Sequence, residues 1–212
     1  MKTTLRELKE IDFEGYDKLT SNLKINDPDT EVSILQILKS NGIQDAVYTL
    51  QTQEYKNYNL FNADVAESVL HLFEDEYPDD DRPRKGIEGI RLYHAGKITW
   101  DMLDGLKKDV YAASSAARTY ASSAAANSVY YAVYYAAGYP TYYSTYSTSY
   151  YSVINVISTS IIAIYPDIHP AYYPKCAIDY IWCIDDEYIL ANRYPLVGKK
   201  WKEIEIILRK YI

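Results

Sequence analysis

The middle of the chain, residues 110–165, shows a helical pattern of small and apolar positions. Up to residue 137 the repeating positions lie three or four residues apart, or at sums of these steps: Ala113, Ala117, Tyr120, Ala124, Tyr131 and Tyr135. Such residues share one face of a helix, and alanine has the highest helix propensity, so residues 110–137 predict a long helix. Gly138 and Pro140 then mark its end, because proline starts a helix better than it continues one.

The same stepping resumes after Pro140, at Tyr143, Tyr146, Tyr150, Val153, Ile157, Ile161 and Ile164. This second segment is rich in β-branched residues, which is also typical of a buried strand. Its length and its spacing favour a helix. We therefore predict a central helical hairpin rich in alanine and tyrosine, in which small residues on the first helix let the larger side chains of the second approach closely.

Shorter amphipathic segments flank the hairpin on both sides. They predict a helix after Thr3 or Thr4, a helix that starts at Trp100, and helices over residues 16–25, 32–40, 43–51, 60–73, 83–95, 175–192 and 199–212. Thr30 is the predicted cap of the helix at 32–40, and Thr99 is the predicted cap of the helix at Trp100. We also predict a break at Asn57, Tyr58 and Asn59 and a turn at residues 195–198. No sustained strand alternation is present. The sequence predicts an all-α multi-helix bundle: one domain over residues 1–212, with residues 1–57 appended to a core bundle of residues 58–212.

The hairpin carries no charge between residues 119 and 166. A membrane-spanning helix needs about 20 predominantly apolar residues, but Ser, Thr, Asn and Tyr interrupt every such window here. We therefore predict no membrane insertion. Twelve of the 25 tyrosines lie between Tyr111 and Tyr151, and a buried phenol needs a hydrogen-bond partner. A wet groove, an exposed aromatic surface and internal hydrogen bonds all remain open.

The net charge of −7 is concentrated in the first half of the chain. Residues 1–109 hold 22 acidic and 14 basic residues. This argues against direct nucleic-acid binding, which needs a basic face. It is compatible with a basic protein partner and, more simply, with an acidic solvated surface. Cys176 and Cys183 are too far apart on a helix for a disulfide, and no signal-peptide pattern is present, so we expect a cytoplasmic protein.

The sequence contains no arrangement typical of catalysis. His71, His94 and His169 form no zinc-binding pattern, and the many Ser and Thr residues of the hairpin lack a nearby basic partner. The carboxylates at 185–187 would point in different directions from a helix. We expect neither a metal nor a cofactor, and we predict that the protein is not an enzyme.

Acidic and basic residues alternate abruptly before the predicted helix at Pro83. The acidic loop carries the residues that we assign to partner binding: Glu74, Asp75, Glu76, Asp79, Asp80 and Asp81. Arg82, Arg84 and Lys85 follow at once, so the segment is either a charged contact patch or anion site, or a cluster of caps and ion pairs in which Glu88 pairs with Arg84. If the protein instead binds a small molecule, we predict that the ligand-binding site uses Arg82, Arg84, Lys85, Arg118, Tyr120, Tyr131 and Tyr135.

This segment resembles the alanine-rich class-five immunity domains of bacterial polymorphic toxin systems, and also small phage and prophage proteins with long Ala–Tyr runs. The resemblance covers roughly residues 45–137, and these positions carry it together with the alanines after Tyr111: Asp80, Arg82, Pro83, Arg84, Ile87, Glu88 and Gly96. It implies an all-helical cytosolic protein that acts by stoichiometric binding without catalysis.

Two functional hypotheses follow. The first is an inhibitory binding protein, of the immunity or phage anti-defence type, that neutralises a basic toxin or defence nuclease; the acidic loop would steer the partner and exposed tyrosines would anchor it. The second is a small-molecule sponge that holds a nucleotide signal in a pocket lined by Tyr and Ser, with Arg and Lys on the phosphates. The uncharged hairpin could equally form a homodimer interface.

Overall fold

The computed structural model describes residues 1–53, 55–138, 145–164 and 195–212. In these residues the elements are β1 (Lys2–Thr4), α1 (Leu5–Glu10), α2 (Tyr16–Leu23), β2 (Glu31–Ser33), α3 (Ile34–Asn41), α4 (Ile43–Tyr48), a 3₁₀ turn (Thr49–Thr52), α5 (Tyr55–Glu74), α6 (Arg82–His94), α7 (Trp100–Ala116), α8 (Tyr120–Ala136), α9 (Thr145–Ile164) and α10 (Pro195–Leu208). The predicted all-α bundle is confirmed. Within the described ranges, the strands form only a two-stranded antiparallel sheet that pairs Thr3 with Val32.

Helix α8 lies at the centre of the bundle and packs against α5, α6, α7 and α9. Its buried positions are small or β-branched: Ala124, Ala125, Ala126, Val129, Ala132, Val133 and Ala136. On α9, Val153, Ile157 and Ile161 are buried, so the second half of the hairpin is a helix rather than the alternative strand. Packing of a continuous apolar face thus outweighs the modest helix propensity of β-branched residues. No helix in the described ranges is long and apolar enough to cross a membrane.

The single helix predicted over residues 110–137 is wrong, because the chain breaks between α7 and α8. Ala117 is extended, with ψ of 134°. Thr119 caps α8 by accepting a hydrogen bond of 3.2 Å from the Ser122 amide. The Ser123 hydroxyl, in turn, donates to the carbonyl of Ser114 at the end of α7. Local side-chain hydrogen bonds of Ser and Thr compete with helix continuation in this way.

Several flanking predictions are corrected in the same manner. Thr30 is not the cap of α3: residues 31–33 form β2, and Ser33 caps the helix with Gln36 in a capping box. The expected break at Asn57, Tyr58 and Asn59 lies inside α5, and the expected turn at residues 195–198 is the first turn of α10.

Other boundaries agree with the prediction. Thr4 caps α1, and Thr99 caps α7. Gly96, with φ of +69°, follows Ala95, the C-cap residue of α6. The helix predicted over 175–192, Cys176, Cys183, His169, Pro140 and the carboxylates at 185–187 lie outside the described residues. The division into an appendage and a core stays a prediction, although buried side chains from Leu5 to Leu208 form one hydrophobic cluster.

Candidate partner-binding surface

The acidic loop, residues 74–81, connects α5 to α6, and three of its carboxylates hold the basic residues that follow. Glu74 accepts two hydrogen bonds from Arg84, of 2.6 and 2.7 Å. Asp80 accepts from the side chain and the backbone amide of Arg82, and the side-chain bond keeps the pKa of Asp80 below its ordinary value. Lys85 lies 2.9 Å from Asp81. The ion pairs of the predicted cluster are therefore present, but Arg84 pairs with Glu74 and Glu67 rather than with Glu88. The side chain of Asp81, the N-cap residue of α6, makes no capping hydrogen bond.

The remaining carboxylates of the acidic loop point outward. Asp75, Glu76 and Asp79 are exposed, and Asp75 and Asp79 form no ion pair with any residue that the structure describes. Glu76 accepts a 2.7 Å hydrogen bond from the Thr119 hydroxyl, and this bond lowers the pKa of Glu76. The loop thus presents negative charge while one of its exposed acids is fixed to the start of α8.

Tyr77 strengthens this attachment. Its hydroxyl accepts a 2.6 Å hydrogen bond from the Arg118 amide and donates a 3.0 Å bond to Glu76. Its ring stacks on Phe73, with centroids 4.9 Å apart. The break between α7 and α8, which the sequence did not reveal, is therefore the anchoring point of the acidic loop.

An ion-pair network that was also missed fastens α6 to α5. Arg91 donates to Asp64 and Glu67, each at 2.6 Å, and Lys210 lies 3.3 Å from Asp64. Burial of Asp64 opposes ionisation, but hydrogen bonds led by that of Arg91 hold the pKa of this carboxyl below its ordinary value. The sequence contains a pattern that could have predicted this network. Glu67 and Glu74 of α5 are seven residues apart, as are Arg84 and Arg91 of α6, so each pair lies on one face of its helix and the two faces carry opposite charge.

The described tyrosines of α8 form a chain of contacting rings along the helix. Tyr130 contacts Tyr111 of α7, Tyr131 and Tyr134, with centroids 5.3, 5.5 and 5.8 Å apart. Tyr111 is 57% exposed and Tyr134 is 45% exposed. Of the three possibilities left open by the sequence, these two side chains fit the exposed aromatic surface.

The residues predicted for a ligand site have different surroundings. Arg82, Arg84 and Lys85 are ion-paired in the acidic loop cluster. Tyr131 is half-buried, and Tyr135 accepts a 2.8 Å hydrogen bond from Asn155 of α9. Arg118 lies at the break, where its amide binds Tyr77. The side chain of Tyr120 is outside what the structure describes, so the predicted ligand site stays untested as a whole.

Two buried serines of the hairpin core bind each other across α8 and α9. The hydroxyls of Ser128 on α8 and Ser160 on α9 lie 2.7 Å apart, and Ser128 also donates to the Val156 carbonyl. His94 is half-buried beside Asn59, and burial lowers its pKa. Across the described ranges, no three His, Cys, Asp or Glu side chains are grouped so that they could hold a metal ion.

Comparison with known protein families gives a match over part of the chain. No curated protein and no solved structure matches the chain. A family model described as Imm-5 like putative immunity protein matches residues 48–141. This range runs from the end of α4 through α8, and it contains the acidic loop, α6 and the exposed tyrosines. The resemblance seen in the sequence over residues 45–137 is therefore confirmed: residues 48–141 of this chain match the Imm-5 like putative immunity protein family.

Proposed function

We propose that this protein is a non-enzymatic inhibitor, of the immunity or phage anti-defence type, that neutralises a basic protein toxin in the bacterial cytoplasm by forming a stoichiometric complex. The observation that carries the proposal is the acidic loop: a fixed, outward-facing group of carboxylates inside the segment that matches an immunity-protein family. Immunity proteins act by binding, so the absence of recognisable catalytic motifs in the sequence is consistent with this role.

The geometry of the acidic loop suits steering of a basic partner. Glu74, Asp80 and Asp81 engage the arginines and the lysine of α6 and hold the loop in shape. Asp75, Glu76 and Asp79 then provide the field at the surface. Clustered charge of one sign raises the association rate of an oppositely charged protein and disfavours partners of the same sign. A loop that is already ordered also loses less conformational entropy on binding.

The same contacts favour a protein partner over a nucleotide. Each predicted phosphate-binding cation of α6 already faces a carboxylate, and Arg84 does so with two parallel hydrogen bonds. A phosphate would have to displace that carboxylate and would bring a second negative charge close to it, and like charges at short distance repel each other. A basic protein surface, in contrast, would add cations to a loop that carries three outward acids.

Binding to a panel of purified, catalytically active bacterial toxin domains with net positive charge tests the proposal. We expect at least one nuclease or other toxin to bind with 1:1 stoichiometry and to lose its activity. The double variant Asp75→Lys/Asp79→Lys should slow association about tenfold at low salt, with a smaller difference at high salt, because exposed charges are screened.

The matched control reverses two exposed acids remote in sequence, Glu10→Lys/Asp27→Lys, and should leave the association rate within about twofold of this protein's own after correction for net charge. If no toxin domain binds below about 10 μM in 150 mM salt, the proposed function is wrong. Equal association rates for the two double variants would show that the acidic loop does not steer the partner.

A further inference from the structure

One face of α8, which is partly exposed to solvent, combines tyrosine with small polar residues. Ser123, Asn127, Tyr130 and Tyr134 follow one another at steps of four, three and four residues, so they share one side of the helix. Tyr111 of α7 packs on Tyr130 and extends this face sideways. We call these five residues the tyrosine strip. The strip itself contains no charged side chain, although the chain carries a net charge of −7.

The tyrosine strip has the physical properties of a protein-binding surface. Tyrosine offers large contact area with few rotatable bonds, and Ser and Asn adapt their hydrogen bonds to a partner, which is why all three are abundant in antibody binding sites. In the strip, each tyrosine ring lies within 6 Å of another, so the rings are ordered before binding. Tyr111 and Tyr134 nevertheless keep about half of their surface in solvent.

The start of α8 connects the tyrosine strip to the acidic loop. Thr119, which caps α8, binds Glu76, and the adjacent Arg118 amide binds Tyr77. From Thr119 the helix rises about 22 Å to Tyr134 at 1.5 Å per residue. A standard protein interface covers roughly 800 Å² on each partner. The loop and the strip together are about as long as such an area is wide.

The chemistry of this surface selects a cationic partner. The face of a phenol ring attracts cations within about 6 Å, and Lys107 of α7 already lies 5.7 Å from the centroid of Tyr134. At the other end, Asp75, Glu76 and Asp79 attract cations over longer distances. Arginine, which stacks on aromatic rings as well as pairing with carboxylates, is suited to both ends.

We infer that the tyrosine strip and the acidic loop form one binding surface for a protein that presents arginine and lysine side chains: the loop accelerates the encounter, and the strip supplies most of the binding energy. This inference rests on the proposed function and adds the place on the molecule where the inhibited protein is held. It predicts that strip variants act on dissociation and loop variants act on association.

The test uses the full chain and the toxin domain that it inhibits in the panel, with association and dissociation rates measured by surface-based kinetics. Tyr134→Ala and Tyr111→Ala should each weaken binding about 10- to 100-fold through faster dissociation. Tyr134→Phe should stay within about threefold because the ring remains, and Tyr134→Leu should lose clearly more than Tyr134→Phe because it keeps apolar area but no ring face.

Tyr16→Ala is the matched control, because Tyr16 also lies under a lysine, with Lys9 at 5.0 Å from its ring, but belongs to α2. Thermal unfolding of every variant checks that the fold is kept, and sedimentation of the chain alone shows whether the strip pairs with a second copy.

Four outcomes are distinguishable. Loss of binding in the alanine strip variants, but not in Tyr16→Ala, supports the inference. Strip variants that dissociate like the unmodified chain overturn it, while toxin inhibition keeps the proposed function intact. A dimer of the chain alone that Tyr134→Ala disperses also overturns it, since the strip would then be a self-interface. Binding of no toxin domain removes the proposed function and this inference together.

Discussion

At the scale of single residues, two glycines in neighbouring helices have opposite surroundings. A Cβ atom added at Gly86 of α6 would lie 2.7 Å from a methyl of Val110, 3.1 Å from one of Val133 and 3.2 Å from one of Val129. All three valines are fully buried. Gly86 thus permits the close approach of α6 to α7 and α8. Gly105 of α7 has no heavy atom within 4 Å of the same position.

The two sites therefore predict stability changes of opposite sign for the same substitution. Gly86→Ala gains about 0.5–1 kcal/mol from helix propensity but costs about 1–3 kcal/mol through overpacking, so the free energy of unfolding should fall. Gly105→Ala gains helix propensity without overpacking, so it should raise the free energy of unfolding by about 0.5–1 kcal/mol. Urea unfolding of both variants measures this, and a Gly86→Ala protein as stable as Gly105→Ala would contradict the packing of α6.

At the scale of elements, the break between α7 and α8 orders the acidic loop. Thr119 has two roles there: its hydroxyl oxygen accepts from the Ser122 amide as a helix cap, and its hydroxyl hydrogen is donated to Glu76. Thr99 caps α7 by the same kind of bond to Met102. The two threonines differ in that Thr119 also binds the acidic loop.

This difference predicts the effect of removing each cap. Thr119→Ala and Thr99→Ala should each cost about 1 kcal/mol of unfolding free energy, the usual loss for a cap. Only Thr119→Ala should accelerate hydrogen exchange of the amides in residues 74–81, because only this variant removes a hydrogen bond between the acidic loop and the start of α8. Exchange measured by mass spectrometry on peptides from that region tests this difference: equal rates in both variants would mean that Tyr77 and the ion pairs with α6 hold the loop without Thr119.

The sequence could predict the hairpin but not the face that it exposes. The uncharged run and its three- and four-residue steps indicated α8 and α9, and Gly138 indicated where α8 ends. Two features, the break between α7 and α8 and the outward face of α8, depend on residues that are distant in the sequence, and the sequence pattern does not predict them. The break at residues 117–119 is stabilised by Tyr77, some 40 positions earlier.

The outward face of α8 was equally hidden, because alanine occurs all around this helix and no apolar stripe stands out. The face of Ala124, Tyr131 and Tyr135, identified by its spacing, turns partly inward. The face of Tyr130 and Tyr134 has the same spacing and borders solvent. Only the positions of α5, α6, α7 and α9 around α8 decide between them, and a helical period alone contains no such information.

At the scale of the whole molecule, ion pairs connect the helices, and we expect them to make the stability of the fold depend on pH. Arg91 joins α6 to Asp64 and Glu67 of α5, and Lys210 joins the C-terminal segment to Asp64. The hydrogen bond from Arg91 is the leading cause of the lowered pKa of Glu67. At Asp64, burial acts to raise the pKa, and the hydrogen bond from Arg91 is the largest of the interactions that lower it. These interactions link segments that are 24 to 146 residues apart in sequence.

The sign of the pH dependence follows from these shifts. A carboxyl group with a lower pKa in the folded state stabilises the fold above its unfolded pKa, and this contribution disappears as the pH falls through the folded value. The ordinary values are 3.8 for Asp64 and 4.5 for Glu67. The free energy of unfolding should therefore decrease as the pH falls below about 4.5.

Arg91→Met tests whether this network is responsible. Without the guanidinium, the pKa values of Asp64 and Glu67 rise in the folded state, so the variant should be less stable at pH 7 by about 1–2 kcal/mol, and its stability should fall less steeply with acid. Arg209→Met, which removes an exposed i,i+4 pair with Glu205, should cost no more than about 0.5 kcal/mol and keep the acid dependence. Urea unfolding at pH 7, 5, 4 and 3 provides both comparisons. Parallel curves for the unmodified chain and Arg91→Met would show that the acid sensitivity comes from other carboxylates.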